Sequence, residues 1–235
     1  MLLLILLAVV PLKDVGQRIW QNECHGKVDK ILFWSPHESF PSLGIGHFIW
    51  LPQDSDAPFE QTFPQLIAYF STQGVKVPAW LKSSCPWKNR AAFLQAEDSV
   101  QMQELRTLLV STIDLQTQFI WQRFEKVEQE LHLSEKAQLH LTALKSTPQG
   151  VYALIDYLNF KGSGLSEKES YKGEGWGLKQ VLEGIPAKTA GSNIVTAFVT
   201  SAKERLAKRV ENSKPEAGEA RWLKGWNSRL DSYEK

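Results

Sequence analysis

Two short segments near the start of the chain decide the fold. The first reads IWQNECHG over residues 19–26, and the second reads SLGIGHFIW over residues 42–50. The first is the predicted end of a helix, because Ile19 and Trp20 share its apolar side and Gly26 suits the position just beyond a helix C-terminus. The second is a predicted strand or hairpin, because its two glycines permit tight backbone geometry.

Two carboxyl groups and a hydroxyl group belong to these segments and the stretch between them. Glu23 lies in the last helical turn, where the helix dipole and partial burial would both raise the pKa of its carboxyl group. A raised pKa is what a general acid needs near neutral pH. Glu38 and Ser42 follow within the next twenty or so residues, and a carboxyl pair of this kind is typical of a glycosidase cleft. The structural alternatives are a solvated or salt-bridged Glu23 at the helix end and an exposed loop position for Glu38.

The rest of the chain is predicted to be mainly helical, so the fold class is α+β, mainly α, in a single domain over residues 13–235. Apolar residues recur at helical spacing in most of it. A first helix would begin at Val15 with Asp14 as its cap, and residues 27–41 and 161–175 read as irregular. The other predicted helices cover residues 60–73, about 93–131, 134–145, 149–160, 176–185, 193–211 and 216–233.

Composition limits the classes of function. The net charge of +1 provides no basic field for nucleic acid, so no nucleic-acid partner is expected. The nine tryptophans are either core residues or, in part, a sugar-stacking surface. Residues 2–10 are uniformly apolar but too short to span a bilayer, which needs about 20 residues. Residues 1–12 therefore read as a partial signal peptide or an apolar N-terminal segment, and export to the periplasm or the medium is the favoured prediction.

Cysteines and histidines leave two further alternatives. Cys24 and Cys85 are compatible with one disulfide in an oxidising compartment, or with two free thiols. His25, His37 and His47 could bind zinc, but their spacing matches no zinc motif. No metal site and no cofactor is therefore predicted, and no nucleotide-binding motif is present.

The quoted segments resemble the lysozyme-like superfamily, nearest to the phage-type lysozymes. There a glutamate at a helix end precedes an aspartate and a threonine that leads into a G-I-G-H hairpin, as Glu23 precedes residues 43–47 here. Chitosanases of the same superfamily also have a glutamate, an aspartate and a threonine before a glycine-rich strand. Residues 175–180, GWGLKQ, resemble the G-L-x-Q segment of lytic transglycosylases, and residues 153–159, ALIDYLN, resemble their A-L-x-x-Y-N helix.

This resemblance implies a fold and a set of roles. The fold would be lysozyme-like, with a small β-hairpin next to a helical lobe. Glu23 would be the general acid, Glu38 would replace the aspartate, and Ser42 would replace the threonine. Glu38 departs from the pattern because it is one methylene longer and closer to Ser42. The candidate substrate-binding residues are His47, Tyr157, Asn159, Tyr171, Trp176 and Gln180. The alternative for His47 is a hydrogen-bonded structural role behind the hairpin, and for the others it is packing or solvation.

The predicted activity is cleavage of β-1,4 bonds in peptidoglycan or a related amino-sugar polymer, by hydrolysis or by lytic transglycosylation. The alternative is a non-catalytic glycan-binding or envelope-structural protein with the same fold. Carboxyl groups about 5 Å apart would indicate a retaining hydrolase, and groups about 6.5–9.5 Å apart an inverting one.

Overall fold

The computed structural model describes residues 12–24, 26–55, 60–189 and 191–235, except for the side chains of residues 12, 13, 22–24 and 192. The described residues are mainly helical with a small antiparallel sheet, which confirms the predicted α+β, mainly α class. They form two compact units, an N-terminal unit of residues 12–121 and a C-terminal unit of residues 122–235. The single domain expected over residues 13–235 stays a prediction, because two compact units can belong to one domain.

The N-terminal unit begins with a helix and three very short strands and continues with helices. Its elements are α1 (Leu12–Cys24), β1 (Leu32–Phe33), β2 (Ser42–Leu43), β3 (Phe48–Ile49), α2 (Phe63–Thr72), α3 (Arg90–Gln95), α4 (Val100–Ser111) and the first half of α5 (Ile113–Glu130).

The three strands form one antiparallel sheet in the order β1-β2-β3. Leu43 pairs with Leu32 on one side and with Phe48 on the other. All three of these apolar residues are buried, so the sheet contributes its apolar side chains to the core of the unit. Strands of only two residues are weak by themselves, and packing therefore supplies most of their stability.

Three of the six tryptophans in the N-terminal unit, Trp34, Trp50 and Trp87, are buried in its core. Trp50 is 1% exposed and contacts Phe63, Trp80 and Trp87 at ring distances of 4.8, 6.2 and 5.8 Å. Aromatic pairs at such separations add to the free energy of burial. The core interpretation is thus confirmed for Trp50 and Trp87, which leaves neither free to stack on a sugar.

The C-terminal unit is built around α7, whose residues 150–157 are all buried. Thr147 caps this helix by accepting the Gly150 N–H at 3.0 Å, and Pro148 suits its first turn. The elements are the second half of α5, α6 (Glu135–Lys145), α7 (Pro148–Lys161), β4 (Ser170–Tyr171), β5 (Glu174–Gly175), α8 (Leu178–Gly184), α9 (Ile194–Asn212) and α10 (Ala220–Asp231).

Several predicted boundaries were wrong. The first helix begins at Leu12, so Asp14 lies in its first turn and is not its cap. The helix expected over about residues 93–131 is three helices, because Ser99 caps α4 by accepting the Met102 N–H at 3.2 Å, and a break at Thr112 precedes α5. The stretches expected to be irregular contain β1 and the β4–β5 hairpin.

The apolar N-terminal segment predicted over residues 1–12 lies, except for the Leu12 backbone, outside the described residues. Among those that are described, we find no helix with the length and apolar character that a membrane crossing requires.

Candidate functional site

The end of α1 has the backbone geometry that its sequence predicts. The helix ends at Cys24, and Gly26 follows with a left-handed φ of 66°. The Gly26 N–H donates to the Trp20 carbonyl oxygen at 3.3 Å, which folds the chain back over the last turn. The Glu23 backbone therefore lies in the last turn of a helix, as predicted. Its side chain lies outside the described residues, so its role as general acid stays a prediction.

The other part of α1 is packed closely against α5. A Cβ atom added at Gly16 would lie 2.2 Å from Thr117 Oγ1, so the two helices approach to a distance that only glycine allows. Val15 and Ile19 are buried on the same helix. This contact fixes the axis of α1, and with it the position of its C-terminal turn, within the N-terminal unit.

The hairpin of residues 42–50 is tied to the same part of α5. Gln116, which is fully buried, accepts the Ile45 N–H through Oε1 at 2.9 Å. Its Nε2 donates to the Leu109 carbonyl oxygen at 2.6 Å and to Thr112 Oγ1 at 3.3 Å. These bonds hold the Gln116 amide in one orientation. Adjacent residues of α5 therefore hold both α1 and the hairpin.

The hairpin needs glycine at positions 44 and 46 for two different structural reasons. Gly44 has a φ of 74°, donates its N–H to the Ile31 carbonyl oxygen at 2.8 Å and leaves room for Gln116. Gly46 leaves room for the Phe48 ring, since an added Cβ would lie 2.8 Å from Cζ. The G-I-G pattern is thus explained by backbone geometry and close packing.

We expect Gly44→Ala to destabilise the N-terminal unit more than Gly74→Ala. Both glycines have left-handed φ values, 74° and 76°, which cost an alanine about 1–2 kcal/mol. An alanine Cβ at position 74 would meet no atom within 4 Å, whereas at position 44 it would lie 2.4 Å from the constrained Gln116 Oε1. Overpacking should add about 1–3 kcal/mol at Gly44. Urea unfolding measures both, and equal losses would contradict the role given to Gln116.

The predicted site residues near the hairpin lie in different environments. Ser42 is 7% exposed within β2, so little of it reaches the surface. His47 ends the turn with a φ of 47°, and its ring stacks on Phe33 at 6.2 Å. Glu38 is exposed in the loop before β2, and its carbonyl oxygen accepts the Trp34 Nε1–H at 2.9 Å.

The Glu38 carboxyl group has a raised pKa. Loss of hydration is the largest cause, and the positive charges of His47 and His37 oppose it. Glu38 and His47 therefore interact electrostatically, although most of Glu38 remains exposed. A carboxylate with a raised pKa is a stronger base than an ordinary one, which suits a general base better than a permanently ionised group.

The raised pKa of Glu38 predicts a pH-dependent effect of Glu38→Gln. The native fold favours the protonated carboxyl group, so the stability it contributes is present below the ordinary pKa of 4.5 and is lost as the pH rises through the native value. We expect Glu38→Gln to raise the midpoint of thermal unfolding at pH 7 and to have a shrinking effect as the pH falls towards 4.5. Glu97→Gln, at an exposed position of the same unit, controls for the loss of a surface charge. An increase in the unfolding midpoint that does not depend on pH would argue against a raised pKa of the Glu38 carboxyl group.

The described residues test the disulfide alternative and the zinc alternative to different extents. Cys85 is buried and has no disulfide partner among the described residues, and burial raises the pKa of its thiol to about 11. The Cys24 side chain lies outside the described residues, so the pairing stays a prediction. In the described part of the chain, no three His, Cys, Asp or Glu residues are grouped as metal ligands would be. His25 is not among the described residues.

The predicted substrate-binding residues of the C-terminal unit are partly structural. Tyr157 is fully buried, its hydroxyl donates to the Trp176 carbonyl oxygen at 2.6 Å, and burial raises its pKa. This placement argues against substrate contact by Tyr157. Trp176 is only 4% exposed, while Asn159 is half-buried on α7. Gln180 is also half-buried, and its Nε2 donates to the Gly164 carbonyl oxygen at 3.0 Å.

Tyr171 and Trp176 belong to a larger cluster that the sequence did not predict. Their rings lie 4.7 Å apart, and the Tyr171 hydroxyl donates to Glu219 Oε1 at 2.9 Å. Glu219 also accepts two hydrogen bonds from the Arg209 guanidinium at 2.7 and 2.8 Å, and this guanidinium lies 4.1 Å from the Trp176 ring. Cations and rings continue to alternate beyond it. We call this series the cation–aromatic ladder, and its members in order are Trp176, Arg209, Trp226, Lys161, Phe160 and Arg229.

Part of the ladder had a signal in the sequence. Trp226 and Arg229 lie three residues apart near the C-terminus, which predicts one common face of a helix. Their partners lie far away in the sequence, as with Asp156, which accepts two hydrogen bonds from Arg229 at 2.8 Å each. Only the fold could reveal such pairs.

No family model, curated protein or solved structure matches this chain. The resemblance to the lysozyme-like superfamily therefore rests on the residues of the quoted segments.

Proposed function

We propose that the N-terminal unit carries the active residues of a lysozyme-like glycosidase that cleaves β-1,4 bonds in peptidoglycan or a related amino-sugar polymer. The observation that carries the proposal is the common attachment of α1 and the G-I-G-H hairpin to α5. Thr117 packs on Gly16 of α1, and its neighbour Gln116 holds Ile45 of the hairpin. A glutamate in the last turn of α1 thereby has a constant relation to the residues around β2.

In this proposal Glu23 is the general acid that protonates the leaving oxygen. The Glu23 backbone lies in the last turn of α1, at the negative end of the helix dipole, and a carboxyl group held near that end would favour the protonated form. The bond that breaks joins the anomeric carbon to this oxygen, and positive charge develops on the sugar ring as it breaks. A group on the opposite face must then supply an electron pair.

Two routes provide that electron pair. In hydrolysis, Glu38 would take a proton from a water molecule that attacks the anomeric carbon, and the raised pKa of Glu38 supports this role. Ser42 would orient the water, and His47 would contact the substrate. In lytic transglycosylation, a hydroxyl group of the sugar itself attacks, and Glu23 acts first as acid and then as base. The raised pKa of Glu38 favours the hydrolytic route.

Digestion of purified peptidoglycan with the wild-type protein distinguishes the routes. Mass analysis of the soluble fragments should show reducing ends after hydrolysis and anhydro ends after transglycosylation. Binding to the polymer without any release of fragments would contradict the enzyme and leave the non-catalytic glycan-binding alternative. Export to the periplasm or the medium, where this substrate occurs, belongs to the same proposal.

A further inference from the structure

Lys161 differs from the other two cations of the cation–aromatic ladder. Arg209 donates two hydrogen bonds to the Glu219 carboxylate, and Arg229 donates two to the Asp156 carboxylate. For Lys161 Nζ, we find no carboxylate at ion-pair distance among the described residues. Its close neighbours are two rings, with Nζ 3.4 Å from the centroid of Trp226 and 4.0 Å from that of Phe160.

The surroundings of Lys161 oppose a positive charge. The residue is only 9% exposed, so an ammonium group would lose most of its hydration. Arg209 from α9 and Arg229 from α10 add repulsion, and Glu219 provides the main opposing attraction. Contact with the two aromatic faces also favours the ammonium form. Burial, followed by Arg209, lowers the pKa of Lys161 to about 6 despite that attraction.

The remaining titratable groups around the ladder have partners of their own. Asp156 on α7 accepts hydrogen bonds from Arg229 and from the Tyr233 hydroxyl. Tyr171 on β4 donates its hydroxyl hydrogen to Glu219. The ladder is thus balanced without Lys161, because each guanidinium has a carboxylate and each carboxylate has a guanidinium.

We propose that Lys161 is a nucleophilic amine that forms an imine with small aldehydes. A lysine amine that is desolvated next to other cations is an activated nucleophile, because its lone pair is free of a proton at neutral pH. The proposal concerns the C-terminal unit alone and does not depend on the glycosidase proposal.

The reaction balances without an oxidant or a reductant. The lone pair of Nζ attacks the aldehyde carbon, the carbonyl oxygen takes up a proton, and a carbinolamine forms. The nitrogen then loses its proton, the hydroxyl group leaves as water, and a C=N bond remains. Lys161 is only 9% exposed, so the aldehyde must be small, and formaldehyde is the smallest.

Competitive reductive methylation of the whole protein tests the proposal. Limiting formaldehyde forms the imines, sodium cyanoborohydride reduces them to methylamines, and peptide mass spectrometry gives the rate at each lysine. At pH 7 an amine with a pKa of about 6 is mostly neutral, whereas an ordinary lysine is neutral in about one molecule in a thousand or fewer. We expect Lys161 to react at least about tenfold faster than the exposed Lys76 and Lys224, with limited access offsetting the rest.

The pH dependence of the same rates separates reactivity from simple access. Between pH 7 and pH 9 the rate at Lys161 should stay nearly constant, because its amine is already neutral. The exposed Lys76 and Lys224 are the reference positions, because the rate at an ordinary lysine rises about tenfold per pH unit over this range. Lys161→Met should remove the fast-reacting position while leaving the other rates unchanged. A rate at Lys161 that is no faster than theirs, that rises in parallel with theirs or that is zero at every pH would overturn the proposal.

Discussion

Asp156→Ala is expected to lower the free energy of unfolding of the C-terminal unit by about 3–5 kcal/mol. Asp156 is 1% exposed and accepts two hydrogen bonds from Arg229 at 2.8 Å each and a third from the Tyr233 hydroxyl at 2.5 Å. Removing the carboxylate would leave a mostly buried guanidinium without its counterion. The cost arises from this uncompensated charge more than from the attraction that is lost.

Two control variants give this prediction its specificity. Asp231→Ala removes a carboxylate that is half exposed and pairs with Lys203, so it should cost no more than about 1 kcal/mol. Tyr233→Phe removes only the hydroxyl donor and should cost about 1.5–3 kcal/mol. Urea unfolding followed by circular dichroism measures all three. Equal losses for Asp156→Ala and Asp231→Ala would show that burial of the ion pair has no special energetic role.

Local patterns predicted the elements that depend on neighbouring residues. Gly26 beyond α1, the glycines of the G-I-G-H hairpin, and the Thr147–Pro148 start of α7 each act through backbone geometry within a few residues. Leu105 and Leu109, which belong to the segments where apolar residues recur at helical spacing, are fully buried. These features can be predicted from the sequence because in each case one residue type satisfies one local requirement of the backbone or the core.

Features that depend on tertiary contacts could not be predicted from the sequence. Strand β1 has only two residues and exists because Leu32 pairs with Leu43. Gln116 looked like an ordinary polar residue of a long helix, yet its amide is buried and holds a hairpin 71 residues away. Tyr157, taken from a local resemblance as a substrate-binding residue, is fully buried. Local sequence shows which residue types are present but not which distant groups meet them.

Glu23→Gln is expected to reduce the rate of peptidoglycan cleavage by at least about 100-fold. Glutamine has nearly the same shape as glutamate but cannot donate an acidic proton to the leaving oxygen. The effect should appear in the rate of bond cleavage while binding to the polymer is retained, because the lost interaction belongs to the transition state. Unfolding curves that match the wild type would exclude a folding defect.

Glu130→Gln is the matched control. Glu130 is also a glutamate in the last turn of a helix, the end of α5, and it is exposed. Its substitution removes the same charge from an equivalent backbone position without touching the proposed site. We expect this variant to cleave peptidoglycan at the wild-type rate.

The central claim is that one carboxyl group at the end of α1 supplies the proton for glycosidic cleavage. Its most direct test is the initial rate at which soluble fragments are released from purified peptidoglycan by the wild type, Glu23→Gln and Glu130→Gln. We expect release by the wild type and Glu130→Gln and a rate at least about 100-fold lower for Glu23→Gln. Equal release by a correctly folded Glu23→Gln variant, or no release by the wild type, would contradict it.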